Sequence, residues 1–157
     1  MSDYTDEKRL HGLLRGEKLL NAKIKWADGL QFIGQSGTGH AIVMDGDPEA
    51  GGNNTGMRPM ELLLAGLGGC SGMDVASVLQ KKKQQVAGIE INVKGTKADT
   101  YPKKFTEIEI EYIVTGKALS EDAVRKAIEL SFSKYCSVKA TLEGVAKITY
   151  SYKILEL

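Results

Sequence analysis

The sequence predicts an α+β domain whose elements follow the order βββ-α-ββ-α-α-β. Three observations support this fold class. Alternating apolar and polar residues, which are typical of half-buried strands, recur near the start, in the middle and at the end of the chain. One long segment, residues 59–83, is apolar nearly all round, as expected of a buried central helix. Residues 119–135 instead carry a single apolar stripe, which predicts an amphipathic helix.

The composition excludes several classes of protein. A chain of 157 residues is long enough for one domain with a sizeable core. Its 21 Lys and Arg balance 20 Asp and Glu, so no basic face is indicated and nucleic acid is not an expected partner. Two cysteines are too few for a secreted disulfide scaffold. The charged N-terminus lacks the apolar segment of a signal peptide, and we expect a cytoplasmic protein.

We expect an N-terminal arm over residues 1–21 and a single domain over residues 22–157. Leucines at roughly helical spacing within residues 6–19 indicate a short helix or a loosely docked arm. The domain begins with three strand-like runs, and Asp28-Gly29 is a typical hairpin turn between the first two. These runs are residues 22–26, 30–33 and 40–44. The Gly-, Asp- and Asn-rich segment that follows them, residues 45–56, predicts a long loop.

The long apolar helix begins at Pro59, which suits a first turn, and its lysines at residues 81–83 suit the negative end of the helix dipole. Because the helix is apolar on every side, one small sheet and two short helices cannot cover it. A second copy of the chain is expected to complete the core as a homodimer. About 20 apolar residues could also cross a bilayer. The presence of Glu61, Asp74 and several glycines argues against a membrane span.

The second half of the chain is predicted to form antiparallel strands with one wet face and one dry face that helices cover. Ser120 is a suitable N-cap for the amphipathic helix, and residues 136–142 predict a second short helix. Apolar residues alternate with polar ones in three segments, at residues 89–94, 107–114 and 147–154.

Cys70 and Cys136 are the only thiols of the chain and the strongest candidates for a functional site. Cys70 lies among four glycines of the long helix, and each of them costs roughly 1 kcal/mol relative to alanine. So much glycine suggests that another backbone, a helix or a ligand approaches closely there. Cys136 lies at a helix–helix junction, where free backbone N–H groups can stabilise a thiolate. Both cysteines are also consistent with small buried residues of the core.

Asp74 follows Cys70 by one helical turn on the same face. Its carboxylate could orient the site, although a structural hydrogen bond is the interpretation we favour. No metal site is predicted, because His11 and His40 have no ligand spacing to each other or to the cysteines. The acidic loop at residues 45–49 lacks the glycine and the glutamate that an EF-hand needs.

Two cysteine motifs carry a resemblance to a known family. Residues 59–64 (Pro-Met-Glu-Leu-Leu-Leu) and 68–75 (Gly-Gly-Cys-Ser-Gly-Met-Asp-Val) resemble the first-cysteine helix of the OsmC/Ohr superfamily. Residues 134–138 (Lys-Tyr-Cys-Ser-Val) resemble its second-cysteine motif. Residues 25–32 and 36–46 look like the YhfA-like branch in particular. The resemblance covers the chain from about residue 22 to its C-terminus.

The resemblance implies an OsmC-like fold and an intertwined homodimer with its sites at the subunit interface. It also implies thiol-dependent reduction of organic hydroperoxides, in which Cys70 attacks the O–O bond and becomes a sulfenic acid. Cys136 then condenses with it to a disulfide, which a dithiol reductant reopens. The resemblance implies no metal and no organic cofactor.

The resemblance also assigns the other site residues. The peroxidase branches carry a glutamate about ten residues before the first cysteine; Met60 holds that position here, and Glu61 follows it. Those branches also place an arginine between the first two strands, where residues 27–29 contain none. Arg58 is the candidate substitute. The expected catalytic residues are therefore Cys70, Cys136 and Glu61, and the expected binding residues are Arg58 and Asp74.

The sequence is consistent with three functions. The first is a thiol-based oxidative-stress protein that reduces organic hydroperoxides. The second is a binding module of the same fold, which holds a thiol or a small apolar ligand at the dimer interface without turnover. The third is a structural dimer whose buried cysteines are inert.

Overall fold

The computed structural model of the protein describes residues 19–157. These residues form two compact units, one that ends at Pro59 and one that begins at Met60. Residues 1–18 lie outside the described residues, and with them lie most of the predicted arm and its predicted helix. The single domain expected over residues 22–157 stays a prediction.

The first unit contains a three-stranded antiparallel sheet in the order β1-β2-β3. Its strands are β1 (Ala22–Asp28), β2 (Gln31–Ser36) and β3 (Ala41–Met44). Gly29 has a φ of 50°, the left-handed conformation that a tight hairpin requires. Most apolar side chains of the sheet are exposed, and Trp26 is 65% exposed. In a single chain this sheet therefore has little hydrophobic core of its own.

Asp45 organises the loop that follows β3. Its carboxylate accepts hydrogen bonds from the N–H groups of Gly46, Asn53 and Thr55 and from the Thr55 hydroxyl. The hydroxyl of Thr55 and these N–H donors stabilise the ionised form and lower the pKa of Asp45 to about 2. The predicted loop is thus an ordered turn, and it includes a short 3-10 helix at Pro48–Ala50.

The second unit contains three helices and three strands, in the predicted order. The helices are α1 (Pro59–Lys81), α2 (Glu121–Leu130) and α3 (Ser137–Leu142), with a π-helical turn at Ser131–Tyr135 between the last two. The strands are β4 (Gln85–Lys97), β5 (Phe105–Lys117) and β6 (Lys147–Glu156). β4 extends beyond its alternating segment, because a bulge between Val86 and Gly88 shifts the phase of the alternation.

The direction of β6 differs from the prediction of antiparallel sheets. β4 and β5 are antiparallel, but β6 pairs parallel to β5, from Glu107 opposite Lys147 to Gly116 opposite Glu156. Parallel neighbours need a crossover connection of about a dozen residues or more, and α2 and α3 lie in that connection. The antiparallel expectation is wrong for this pair, since alternation alone carries no information about strand direction.

The second sheet has the wet face and the dry face that the sequence predicts. On the wet face, Lys153 of β6 pairs with Glu111 of β5 at 2.6 Å. On the dry face, apolar side chains of β5 are buried with those of α1 and α2 in one core. The main contributors are Ile108, Ile110, Tyr112 and Val114 from β5, Leu67, Val75 and Leu79 from α1, and Val124, Ala127 and Ile128 from α2.

In a single chain, α1 is buried along one stripe only. Its buried residues are Leu67, Gly68, Ser71, Val75 and Leu79. Met73, on another face, is 71% exposed. The expectation of burial on all sides is therefore not met within one chain. α1 also has the length and the mean hydropathy, 1.6, of a membrane span. The core helix of a soluble protein can have the same length and composition.

Two of the four glycines near Cys70 explain the close packing of α1. A Cβ at Gly68 would lie 3.1 Å from Val93 Cγ2, and a Cβ at Gly72 would lie 2.8 Å from Ile91 Cδ1. The close approach expected from the sequence is therefore made by β4. Around Gly66 and Gly69 a Cβ would meet nothing within 4 Å, so these two glycines leave an open, flat surface on α1.

We predict that Asp45→Asn lowers the thermal stability of the protein at neutral pH. The amide keeps the size of the side chain but replaces one acceptor oxygen by an NH2 donor, which cannot accept from the surrounding N–H groups. Thermal unfolding followed by circular dichroism measures the effect. The wild-type pKa of about 2 lies below the ordinary value of 3.8. The stabilisation by Asp45 is therefore complete above pH 3.8 and is lost as the pH falls through about 2.

The variant should lack this acid-dependent loss of stability. Asp28→Asn is the matched control, because Asp28 is an exposed residue of β1, and it should unfold like the wild type. An unfolding midpoint for Asp45→Asn equal to the wild-type value at neutral pH would contradict the role assigned to Asp45.

Candidate functional site

The two cysteines lie close together in the folded chain. The sulfur atoms of Cys70 and Cys136 and a carboxylate oxygen of Asp74 all lie within 4.8 Å of one another. Both cysteines are free thiols, and the S–S length of a disulfide is only about 2.05 Å. The fold thus brings the two candidate thiols together without placing them at bonding distance.

Two parts of the second unit position these groups. On α1, Cys70 and Asp74 are one turn apart and share a face. After α2 the backbone widens into the π-helical turn, in which the N–H of Cys136 donates to the carbonyl oxygen of Ser131 at 3.0 Å. Cys136 then leaves helical geometry and becomes the N-cap of α3. The helix predicted to begin at Cys136 therefore begins one residue later.

Cys136 is the buried member of the pair and is only 4% exposed. Its sulfur accepts a hydrogen bond from the backbone N–H of Lys139 at 3.4 Å. Burial outweighs this hydrogen bond and raises the pKa of the Cys136 thiol to about 11, and the neighbouring Cys70 and Asp74 add to the increase. The N–H donor expected at the helix start is present, but Cys136 is a neutral thiol at neutral pH.

A chain of buried hydroxyl groups supports Asp74. The Ser131 hydroxyl donates to Asp74 Oδ2 at 3.0 Å, a shorter contact than its 3.5 Å to the carbonyl oxygen of Ser71. With its one proton used there, Ser131 accepts from the Ser71 hydroxyl at 2.8 Å, and Ser71 accepts from Tyr112. Burial raises the pKa of Tyr112, which keeps its hydroxyl protonated as the first donor. Asp74 therefore ends a hydrogen-bonded chain that begins on β5.

Ser71, Tyr112 and Ser131 were not predicted from the sequence as residues of the site. A signal was available, because Ser71 lies on the same helical stripe as Leu67, and Ser131 follows Ala127 by one turn on the apolar stripe of the second amphipathic segment. Hydroxyl groups at core-facing positions need hydrogen-bond partners. Three such residues in one small domain indicate a shared polar cluster.

The remaining predicted site residues are Glu61 and Arg58. Glu61 lies in the first turn of α1, nine positions before Cys70, and this spacing corresponds to a rise of about 13.5 Å along the helix. Arg58 belongs to the first unit, where its guanidinium pairs with Asp47 at 2.8 Å. A direct role for either residue at the thiols stays a prediction.

A groove of about 520 Å³ lies next to the cysteine pair. Asp74 belongs both to this groove and to the group of atoms that surrounds the two thiols. A small molecule in the groove would therefore be adjacent to the thiol site. The groove is lined by Asp74, Ser77, Val78, Lys81, Lys82, Leu130 and Tyr135.

Comparison with known proteins identifies the family. The family model described as OsmC-like protein matches residues 51–151, which include both cysteines. The chain belongs to the OsmC-like protein family. This match confirms the resemblance of the two cysteine motifs to the OsmC/Ohr superfamily.

Individual members of the family agree with this assignment. Protein YhfA of Escherichia coli K12 is 41% identical over 136 residues, which cover 87% of this chain and 98% of YhfA. This similarity confirms the resemblance to the YhfA-like branch. An OsmC-like protein from Mycoplasma pneumoniae has a solved structure with a TM-score of 0.76 at 19% identity, over 88% of this chain and 99% of that chain.

Several similar solved structures carry a functional description. Among them is an organic hydroperoxide resistance protein, OsmC, from Legionella pneumophila. Its TM-score is 0.62 at 15% identity, and the match covers 85% of this chain and 96% of that chain. At these identities the Legionella and Mycoplasma structures show a shared fold alone.

We predict that Cys136 reacts slowly with iodoacetamide at neutral pH and faster as the pH rises toward about 11, the raised pKa of its thiol. Mass spectrometry of the Cys136 peptide measures the rate, with the urea-unfolded chain as the reference for an exposed thiol. In Cys70→Ala the midpoint should shift downward, because the neighbouring sulfur contributes to the increase. It should stay above the ordinary 9.0, because burial is the largest cause. A wild-type midpoint at or below 9.0 would contradict this assignment.

Proposed function

We propose that this protein is a thiol-based stress-response protein that reduces small organic hydroperoxides through Cys70 and Cys136. Membership of the OsmC-like family suggests the stress-response role. The observation that carries the finer proposal is the proximity of the two sulfur atoms, within 4.8 Å of each other. The description of the Legionella protein as an organic hydroperoxide resistance protein supports the same substrate class.

The unequal exposure of the two thiols supports different roles for them. Cys70 is half-buried and can meet a substrate, whereas Cys136 is buried and protonated. Cys70 as a thiolate attacks the O–O bond, becomes a sulfenic acid and releases the alcohol after proton uptake. The Cys136 thiol then attacks the sulfenic sulfur, and a disulfide and one water form. A cytoplasmic dithiol returns both cysteines to thiols by exchange.

Disulfide formation requires the two sulfurs to approach from within 4.8 Å to about 2.05 Å. Cys136 lies at the break between the π-helical turn and α3, and we expect the approach to occur by a movement of the backbone at this break. No metal or organic cofactor takes part in this cycle.

The test is hydroperoxide consumption with a dithiol reductant, using cumene hydroperoxide and a fatty-acid hydroperoxide. Cys70→Ser should lose turnover by roughly 100-fold or more, because it removes the nucleophile. Cys136→Ser should also stop turnover but accumulate a sulfenic acid at Cys70, which dimedone traps. In the wild type, mass spectrometry should instead find a Cys70–Cys136 disulfide.

Ser151→Ala, at an exposed position of β6 that belongs neither to the groove nor to the thiol cluster, is the matched control and should keep turnover. The double variant without cysteines gives the background rate. Wild-type consumption no faster than this background would rule out the peroxidase. Dimedone labelling of Cys136 rather than Cys70 would reverse the assigned roles.

A binding module is the second candidate, and one observation favours it. Arg58, the candidate substitute for the family arginine, already pairs with Asp47 in its own loop. If no cation stabilises a Cys70 thiolate, the same site would hold a thiol or a small apolar ligand without turnover. Mixed-disulfide adducts at Cys70 in a protein without peroxidase activity would support this candidate.

We also propose a homodimer. The outer surface of α1 supports it, because Gly66, Gly69, Met73 and Ala76 are exposed along one helical stripe that matches a close helix–helix contact. The exposed apolar side chains of the first sheet support it as well, since a second copy would remove them from water.

We predict that light scattering at micromolar concentration gives a mass of twice 17.0 kDa. Gly69→Leu should shift the protein toward the monomer, because the added side chain would separate the two copies while it favours the helix itself. Gly144→Leu is the matched control, since a Cβ there also meets nothing within 4 Å but lies outside α1. A wild-type mass of 17.0 kDa would contradict the dimer, and an unchanged Gly69→Leu dimer would contradict this interface.

A further inference from the structure

Cys70, Asp74 and Cys136 together resemble a metal site. Two thiols and a carboxylate present three ligand atoms within 4.8 Å of one another. Cys70 and Asp74 come from one face of a rigid helix at a spacing of four residues, and Cys136 comes from the α2–α3 junction. Catalytic zinc sites likewise use three protein ligands and leave the fourth position open.

The distances suit a tetrahedral cation. With Zn–S bonds of about 2.3 Å, two sulfurs on one zinc lie about 3.7 Å apart. The sulfurs here would need to close by at most about 1 Å from their limit of 4.8 Å. A disulfide requires a larger movement, to about 2.05 Å. Metal binding therefore requires a smaller movement of the two sulfurs than disulfide formation does.

The surroundings of the carboxylate also fit a metal ligand. Asp74 Oδ2 accepts from Ser131 at 3.0 Å, and Ser131 is held in turn by Ser71. Hydrogen bonds of this kind orient metal-binding carboxylates and leave other lone pairs for the cation. Because Ser131 is fully buried, water does not compete for its hydrogen bond, and the orientation of the Asp74 carboxylate is maintained by protein groups.

The nearest basic residue on α3 does not place its charge at the sulfurs. Lys139 donates to Cys136 Sγ through its backbone N–H, while its ammonium group pairs with Glu143 and lies 4.6 Å from the centre of the Phe132 ring. Lys81 and Lys82 line the adjoining groove, together with Asp74. Cys70 and Asp74 are half-buried, so an ion can reach the cluster.

We propose that Cys70, Asp74 and Cys136 bind one zinc ion, with the fourth position open to water or an external thiol. Thiolate ligands select zinc over magnesium and calcium. On binding, each thiol gives its proton to the buffer, two S–Zn bonds form and no electron is transferred. The occupied site holds both sulfurs, so neither can react with a hydroperoxide. Zinc and oxidation therefore compete for the same pair of thiols.

The test is a titration of the reduced, chelator-stripped full-length protein with Zn2+ in competition with a chromophoric chelator. One zinc per chain is expected, with no binding of Mg2+. Asp74→Asn should weaken binding by roughly 10-fold or more, and Ser131→Ala by roughly 10-fold through loss of orientation. Asp99→Asn, an exposed carboxylate between β4 and β5, is the matched control and should bind like the wild type.

A second measurement needs no variant. The wild-type Co2+ complex should show the intense visible bands of a tetrahedral site and thiolate-to-metal charge transfer. Zinc should also slow alkylation of both cysteines, and a chelator should reverse this, whether or not the protein reduces hydroperoxides. Zinc binding equal to that of the double cysteine variant would overturn the proposal. So would an octahedral Co2+ spectrum, or wild-type affinity in a folded Asp74→Asn variant.

Discussion

The arrangement around the two thiols depends on how closely α1 packs against β4. Gly68 and Gly72 have no side chains where Val93 and Ile91 approach the helix. At this depth Ser71 reaches Tyr112 on β5, and its neighbours on α1 lie beside Cys136. A larger residue at either glycine would push the helix outward and lengthen all of these contacts at once. One packing distance therefore controls both the core and the chemistry of the site.

The two thiols gain different properties from the elements that hold them. Cys70 lies on a straight helix with part of its surface open, whereas Cys136 is buried at a break between helices. Burial, rather than charge alone, keeps Cys136 protonated. A pair of this kind suits a reaction in which one sulfur reacts with the substrate and the other then reacts with the oxidised first sulfur. It also suits a cation that displaces both protons.

Much of the fold could be predicted because it is encoded locally. Alternation revealed the strands, and Ser120 was identifiable as a helix cap; its hydroxyl accepts from the Ala123 N–H at 3.3 Å. The direction of β6 could not be predicted, because alternation is the same for parallel and antiparallel strands. In a single chain, α1 is buried on one side only. Which side is covered depends on the neighbouring elements, and the apolar pattern of the helix contains no information about them.

The site was partly predictable for a similar reason. Two cysteines stand out in any sequence, and the spacing of Cys70 and Asp74 placed them on one face. The contacts of Ser71 with Tyr112 and Ser131 join residues 41 and 60 positions apart, so no local pattern contains them. They follow only from the depth and rotation of α1 against its sheet.

The exposed first sheet has a consequence for how the chain folds. Three short strands that bury little apolar surface gain little stability by themselves. If a second copy covers them, the last step of folding is an encounter between two chains, and its rate rises with concentration. Chains made slowly would then spend longer with apolar strands and open sheet edges accessible to other proteins. The pace of synthesis would influence how much of the protein reaches its folded state.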